Sequence, residues 1–465
     1  MKITLVCPTN RHGGSATSGI YYPMGILVIG SKIKDTYPDY EVQVIDGEVR
    51  SPFEIETMVR GSDVLGLSAN TMNYPNCVML SKMAKEQGTK RVVIGGPHPT
   101  AAGMAECILA HQPTIDAVIA NDGDEPFLQY IQAVSVQGFS KEGALGSITN
   151  LIWRNGTEIK RNTCVIPALP PRFVDMNFDL IDFSKYREEH KKEFPDMSER
   201  FVEGFTHVGC AWRVKLGCLF CDIPYPVNSY QPPSRFWREI KVLNDERGIQ
   251  SVKDYGDCFT GNSERVEALL RARPNDLANI QFSLYGKPNE VTTEMAIMLK
   301  ELNVRYVYLG YDSGDNSMLK SMRKGATVSH NYQATELLAK AGINITGSII
   351  LGSEGESEQT INNTERFANE ISSYSNVTQL HCAMMTPFPG APLFEKLKRK
   401  YSEIDGDDVL DTEFTKNLWA RGFCSVSAEY IEERARIINQ LNKSSRKRYF
   451  GFRNSVQLQE DTATK

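Results

Sequence analysis

His207-Val208-Gly209-Cys210-Ala211-Trp212-Arg213-Val214-Lys215-Leu216-Gly217-Cys218-Leu219-Phe220-Cys221-Asp222 sets three cysteines at a C-x7-C-x2-C spacing. Three thiols are one short of a closed zinc site, which takes four nitrogen or sulfur ligands. His207 is the one nearby candidate for a fourth, and an odd offset along a strand points it away from Cys210. An iron–sulfur cube held by three thiolates keeps one iron open to a ligand that is not protein. On this reading Cys210, Cys218 and Cys221 are the metal ligands, and their incompleteness has a purpose.

Working outward, the 465 residues exceed one ordinary core and predict two or three domains. Hydrophobic residues at 41% and charged ones at 23% suit a globular chain, and a net charge of -5 gives no basic footprint for nucleic acid. The dense basic run is Lys443, Arg446, Lys447 and Arg448, expected to be a solvated helix end. No run of eighteen apolar residues occurs, and Met1-Lys2-Ile3-Thr4-Leu5-Val6 enters a strand pattern directly, so neither a membrane span nor a signal peptide is expected. Of ten cysteines only these three cluster, as expected of reduced thiols in the cytoplasm plus one metal or redox site.

Before the cysteines, short apolar runs at 3–7, 42–46, 64–68, 91–95 and 117–120 alternate with amphipathic stretches such as 76–87. That alternation predicts a doubly wound, Rossmann-like parallel sheet over 1–140, with ligands at the carboxyl ends of its strands. Those ends read Pro8-Thr9-Asn10, Asp46-Gly47-Glu48, Ser68-Ala69-Asn70-Thr71, Gly95-Gly96-Pro97-His98 and Asn121-Asp122-Gly123. They are small and polar, as short turns are, and they would also let backbone approach a large ligand. Residues 141–200 hold a hairpin turning at Asn155-Gly156 and a proline-containing connector at 166–171.

After the cysteines the alternation resumes at 251–255, 280–284, 306–310, 345–351 and 379–385. With a strand just before Cys210 these make six βα units over 201–400, a partial TIM-type barrel rather than the closed eight. From about Glu403 the tail, 401–465, is expected to be a helical cap, with a helix over 428–443.

The cysteine loop resembles that of the radical SAM superfamily, although its first gap is seven residues where members commonly have three. Phe220 stands where the family has the aromatic lying along the adenine of S-adenosylmethionine (SAM). Further motifs follow in the family's order. Asp254-Tyr255-Gly256-Asp257 implies that Asp257 holds the amine of SAM, with helix capping as the structural alternative. Gly310-Tyr311-Asp312-Ser313-Gly314 implies that Asp312, where glutamate is usual, and Ser313 bond ribose or carboxylate. Ile350-Leu351-Gly352-Ser353 implies backbone contacts to adenine near Gly352, and Met385-Thr386-Pro387-Phe388-Pro389-Gly390 resembles the last strand ending of the cobalamin-linked branch.

The N-terminal region is similar to the cobalamin-binding domain of that branch, through Tyr22-Pro23-Met24-Gly25-Ile26-Leu27, Asp63-Val64-Leu65-Gly66-Leu67-Ser68 and Gly95-Gly96-Pro97-His98-Pro99-Thr100. It implies cofactor contacts at Ser68, Asn70, Gly95, Gly96 and His98. One departure stands out: Asp46-Gly47-Glu48-Val49 lacks the histidine that would ligate cobalt from below. Tyr285 and Cys424 are candidates for relaying a proton or hydrogen atom near the substrate, against the commoner structural role of buried tyrosines and cysteines.

The resemblance implies an enzyme with a 4Fe-4S cluster, SAM and, through the first domain, cobalamin. It would cleave SAM reductively to a 5′-deoxyadenosyl radical, take hydrogen from a small molecule and deliver a methyl group to carbon by way of the corrinoid. A one-electron donor such as a flavodoxin or ferredoxin would be its partner. Two alternatives stay open: radical dehydration or rearrangement without cobalamin, and a corrinoid or iron–sulfur carrier without turnover. The carrier has no need of SAM-holding loops.

Overall fold

Most strands of the first sheet run through apolar residues, and those at 2–7, 41–46, 64–68 and 91–95 end at a small or polar one, a change that sets where the ligand face lies. The computed structural model describes residues 1–9, 21–135, 141–166, 169–170, 172–224, 228–401, 404 and 411–441. Asn10, the connector residues Pro167, Ala168 and Pro171, Glu403 and the basic run at Lys443, Arg446, Lys447 and Arg448 lie outside the described residues.

β1 (Lys2–Cys7), β2 (Glu41–Asp46), β3 (Val64–Ser68), β4 (Arg91–Gly95) and β5 (Ala117–Ile119) form a parallel sheet, extended antiparallel by β6 (Leu151–Asn155) and β7 (Glu158–Arg161). The strand order is β2-β1-β3-β4-β5-β6-β7. The order reverses beside β1, the switch point at which ligands bind in doubly wound sheets. The hairpin at Asn155-Gly156 therefore continues the first sheet past residue 140. Alternating strand side chains feed two cores, one through Leu65, Leu67, Ile94 and Val118, the other through Leu5, Val64, Val93 and Ile119. Each such aliphatic side chain removed from water contributes about 1.5–3 kcal/mol.

The second sheet joins β8 (Phe201–Gly204), β11 (Ser251–Asp254), β12 (Gln281–Gly286), β13 (Val304–Asp312), β14 (Asn344–Leu351) and β15 (Val377–Met384), all parallel, in the order β15-β14-β13-β12-β11-β8. The two edge strands do not pair, so this is the expected open, six-stranded barrel. One expectation is corrected: the strand just before Cys210 does not belong to it. β9 (His207–Gly209) pairs antiparallel with β10 (Asn228–Tyr230) in a separate ribbon. The physical cause is Asp254, whose carboxylate takes the Thr206 N–H at 3.0 Å and its hydroxyl, turning the chain out of the barrel after β8.

The C-terminal part is helical over Thr412–Phe423 and Ala428–Asn439. Ala428, Ile431, Ala435 and Ile438 recur at helical spacing and are buried on one face. The helix ends four residues before the expected Lys443, and the Asn439 amide both accepts from the Cys382 N–H and donates to its carbonyl, each at 2.8 Å. An edge strand otherwise leaves such groups unpaired. The helix thus closes the open flank at β15.

Tyr21 and Tyr22 join the domains. Tyr22 is 3% exposed, its N–H donates to Glu203 at 3.2 Å, and its hydroxyl accepts from the Glu203 N–H at 2.6 Å. The Glu203 carboxylate pairs with Lys253 at 3.3 Å, both in the barrel interior. The Lys253 ammonium also sits 3.9 Å from the Phe201 ring and 4.6 Å from that of Tyr21.

Candidate active site

Cys210 follows β9 directly and caps a one-turn helix, Ala211–Lys215, built from the extra residues of the first gap. Gly217 then takes φ 73° and lets the chain turn back toward Cys218. The helical turn is anchored by Trp212, whose indole N–H donates to the Arg323 carbonyl at 3.0 Å. Gly325 is required beneath it, with φ 71° and space that an added Cβ would exceed, 2.6 Å from the indole ring. Leu219 N–H donates to the Met322 carbonyl, and Leu393 N–H to the Leu219 carbonyl. The long gap is thus a docked structure. Gly325→Ala is expected to push the indole off its seat, shift tryptophan emission to the red and speed iron loss to a chelator several-fold; an unchanged spectrum and rate would remove this account.

All three cysteines are half-buried. Burial pushes the Cys218 thiol up to about 11 and that of Cys221 up to about 12. Cys210 is held below the usual thiol range, chiefly by a hydrogen bond from the Cys258 thiol and then by the N–H groups of Arg213 and Trp212, against burial. The Cys258 thiol, buried after β11, has one proton to share between the Cys210 sulfur and the Glu290 carboxylate, 2.9 Å away; Thr260 donates to the same carboxylate oxygen at 3.0 Å. Among the described residues, no three cysteine, histidine or acidic side chains already converge as ligands on one point.

The other site residues lie at the carboxyl ends of the same strands. Phe220 packs with Met318, Met322, Leu393 and Trp419. Asp257 is exposed and accepts the Gly209 N–H at 2.8 Å, so it ties the start of the cysteine loop to β11. Asp312 is 3% exposed, takes a left-handed φ of 60° at a register shift in β13, and pairs with Lys324 at 2.6 Å. Left-handed backbone is more tolerable for aspartate than for most residues. Ser313 is buried and its hydroxyl meets that of Thr364 at 3.0 Å. Gly352 donates to Glu356 at 2.8 Å, and its carbonyl accepts from the Trp419 indole at 2.8 Å and the Cys424 thiol at 3.4 Å. Cys424 is therefore held against the end of β14.

Tyr285 instead points into the barrel. Its ring stacks on Tyr308 at 5.0 Å and faces Tyr255 at 6.4 Å, while Tyr21 reaches in from the first domain to donate to the Tyr308 hydroxyl at 3.0 Å. Burial pushes the Tyr285 phenol up to about 12.

On the first domain, Gly96 takes φ 105° and packs so closely that an added Cβ would lie 2.6 Å from the Ala69 carbonyl. Gly95 accepts the Ala69 N–H. Asn70 accepts from the N–H groups of Met72 and Asn73, and Asn73 donates to the carbonyls of Pro8 and Ser68. His98 is buried; Nδ1 meets the Thr71 hydroxyl at 3.2 Å, the ring lies 4.5 Å from that of Tyr74, and Nε2 has no hydrogen-bond partner among the described residues. Burial holds its pKa down to about 4. Asp46 accepts from the Tyr186 hydroxyl at 2.8 Å, and burial pushes its pKa up to about 6.

The β4 loop and the cysteine loop are neighbours. A Cβ on Gly390 would lie 3.3 Å from the Cβ of Ala101 and 3.8 Å from the carbonyl of Asp222, one residue past Cys221.

Residues 206–368 match the radical SAM superfamily and residues 14–131 the B12 binding domain. The chain carries a radical SAM domain behind a B12-binding domain. Among similar proteins is an uncharacterised methyltransferase of Pyrococcus horikoshii, 26% identical over 434 residues and 87% of each chain. Another is the anaerobic magnesium-protoporphyrin IX monomethyl ester cyclase of Cereibacter sphaeroides, 21% identical over 87% of this chain and 65% of the relative. Among solved structures, the radical S-adenosylmethionine methyltransferase TsrM of Kitasatospora setae, with cobalamin and a [4Fe-4S] cluster bound, aligns with a TM-score of 0.63 at 17% identity over 86% of this chain and 75% of the other. That likeness establishes the shared fold.

The protein is a radical SAM enzyme, and its cofactors are a 4Fe-4S cluster, SAM and cobalamin. The residues fit the first two. Three half-buried thiols share one loop and would hold a cube through three of its irons. For cobalamin, the switch-point face offers the close-packed backbone at Gly96 and the unpartnered Nε2 of His98. Sequence reading passed over Trp212, Cys258, Lys287, Glu290 and Lys324 as site residues. The signal that could have found Lys287 was its place just after β12, where barrel ligands sit.

Proposed function

We propose that the enzyme transfers a methyl group to carbon of a small-molecule substrate, using both cofactor domains. The observation that carries this reading is the junction of Ala101, Gly390 and Asp222, which sets the ligand face of the B12-binding domain beside the cysteine loop. An enzyme that only needed a radical does not require that adjacency. A methylating one requires it, because the substrate carbon must meet both cofactors within one enclosed space.

The cofactors supply the demanding chemistry, one-electron cleavage of SAM and carriage of the methyl group. The chain's own residues bind, orient and exclude water. Cys210, Cys218 and Cys221 hold the cluster, and the docked Trp212 fixes their loop. Phe220 and the backbone at Gly352 would line the adenine, with Asp257, Asp312 and Ser313 toward the remainder of SAM. Ser68, Asn70, Gly95, Gly96 and His98 would face the corrinoid. Tyr285, with Tyr21, Tyr255 and Tyr308 around it, would contact substrate or relay a hydrogen atom, and Cys424 would secure the adenine strand end against the helical cap. The balance per turnover is two SAM and two electrons, from a flavodoxin- or ferredoxin-type donor, giving methylated substrate, S-adenosylhomocysteine, methionine and 5′-deoxyadenosine.

No helix among the described residues is long and apolar enough to cross a membrane. The proposed setting is the cytoplasm, where ten thiols would remain reduced. The test is anaerobic titration of the reconstituted enzyme with hydroxocobalamin, followed by mass spectrometry of the SAM products under reduction. Bound corrinoid with both 5′-deoxyadenosine and S-adenosylhomocysteine is expected. Formation of 5′-deoxyadenosine alone, with or without corrinoid, would replace methylation by radical dehydration, rearrangement or, as in the cyclase relative's name, ring closure.

A further inference from the structure

The barrel has a closed floor and unfilled space above it. Phe194, Met197 and Tyr306 pack together and are buried, in the segment that Ser198 ties to Gln281 at the start of β12. Nearer the mouth, accessibility alternates along the strands. Leu309, Ile349 and Cys382, on the outer face of β13, β14 and β15, are buried in the core shared with the helices. Their inward neighbours Tyr308, Ser348 and Ile350 are half-buried, and Ala383 is exposed. Accessible side chains on the concave face mark space that these neighbours do not fill.

One wall of that space is a row of tyrosines. Tyr285 and Tyr308 are partners in the register of β12 and β13, and their rings lie 5.0 Å apart at 26°. Tyr255, just past the end of β11, continues the row at 6.4 Å and 34° from Tyr285. Tyr21 stands edge-on to Tyr255 at 5.1 Å, and its hydroxyl donates to that of Tyr308 at 3.0 Å. Rings standing nearly parallel on neighbouring strands cover one another's faces and turn their edges to the lumen. Ring edges are the positive side of the aromatic quadrupole, so they attract the π face of another ring. They repel a cation, as does the Lys253 ammonium 4.6 Å from the centre of the Tyr21 ring.

The charges around the row are matched. Lys253 pairs with Glu203 below it at 3.3 Å, and Lys324 with Asp312 toward the mouth at 2.6 Å. The carboxylates whose charge reaches Tyr285 are Glu203 and Asp257, the second assigned above to the amine of SAM. Across the lumen, burial draws the pKa of His381 down to about 3 and keeps its ring neutral. We propose that the substrate lays the face of a flat, unsaturated and uncharged ring system against Tyr255, Tyr285 and Tyr308. This names the substrate class of the site and rests on its reading as a small-molecule site.

The test is equilibrium dialysis of the enzyme loaded with cluster, SAM and hydroxocobalamin, without reductant. The probes are naphthalenemethanol and its fully saturated analogue, which share a carbon skeleton and a hydroxyl and differ in the π face. The aromatic alcohol is expected to bind wild-type enzyme about tenfold more tightly than the saturated one. Tyr285→Leu and Tyr308→Leu should each cut that preference to about threefold or less, and Tyr285→Phe should keep it. Both probes are read on one preparation, so a variant with less folded protein still reports its preference.

Equal affinities in the wild type, tighter binding of the saturated alcohol or no binding of the aromatic one overturns the proposal, and none of these needs a variant. A preference that survives in both leucine variants overturns it as well. So does its loss in Tyr285→Phe, which would make the hydroxyl the recognised group. Methylation is decided separately by the SAM products: 5′-deoxyadenosine alone would remove that reading and leave this one standing.

Discussion

Cys218→Ala is expected to reduce reconstituted iron from about four atoms per chain to under about one, and to abolish formation of 5′-deoxyadenosine. Cys218 lies between Cys210 and Cys221 in the loop, and Gly217, with φ 73°, turns the chain just before it. Two remaining thiols cannot hold a cube, and neither the Cys258 thiol nor the Glu290 carboxylate is free of other bonds. The comparison that gives this result meaning is Cys164→Ala. Cys164 is exposed beyond β7, beside Arg161, and its removal should leave iron and SAM cleavage as they were. If Cys218→Ala kept its iron and cleaved SAM, the assignment of the central loop would be lost.

Lys253→Met should cost about 3–5 kcal/mol of stability at neutral pH, read as the denaturant midpoint of the barrel's transition. Both partners of the Lys253–Glu203 pair are inside the barrel, with side-chain exposures of 2% and 0%. Burial, only partly offset by their attraction to each other, pushes the Glu203 carboxyl up to about 8 and draws the Lys253 ammonium down to about 8. Without Lys253 the carboxyl must take up a proton to stay buried. Its folded pKa is then raised above the unfolded value of about 4.3, so the folded state binds the extra proton. That stability is fully present below about pH 4.3 and is lost as pH climbs through the folded value.

Lys253→Met should therefore lose stability steeply between pH 5 and 8. The double variant Glu203→Gln, Lys253→Met, which has no charge to bury, should recover much of it and be flat over the same range. A flat profile in the single variant would show that water reaches Glu203. Because Glu203 also receives the N–H of Tyr22, the single variant should loosen the first domain on the barrel as well.

Most strands were legible because each is a short apolar run between turn residues. The runs at 3–7, 42–46, 64–68 and 91–95 reappear as β1 to β4 almost residue for residue. The misplaced first barrel strand shows the limit. Phe201–Gly204 and His207–Gly209 are both apolar and extended, and only the hydrogen bonds of Asp254 to Thr206, 48 residues away, decide which of them joins the barrel. The hairpin at 151–161 was legible as a hairpin, but its attachment to β5 was not, because strand partners are chosen by contacts distant in sequence.

By itself, the sequence determined the alternation of strands and helices, the three cysteines that leave one iron open, and the order of the loops that follow them. Spacing and periodicity are local properties, and they survive as such in the fold. Only the tertiary structure decided which charges are paired. Lys324 and Lys287 are equivalent on paper, two lysines in glycine-rich loops. One meets Asp312 and the other meets the face of Trp212, and the difference arises from how β12, β13 and the long cysteine gap come together. The cost of burying charge depends on what lies within a few ångströms in space, and no spacing along the chain encodes that.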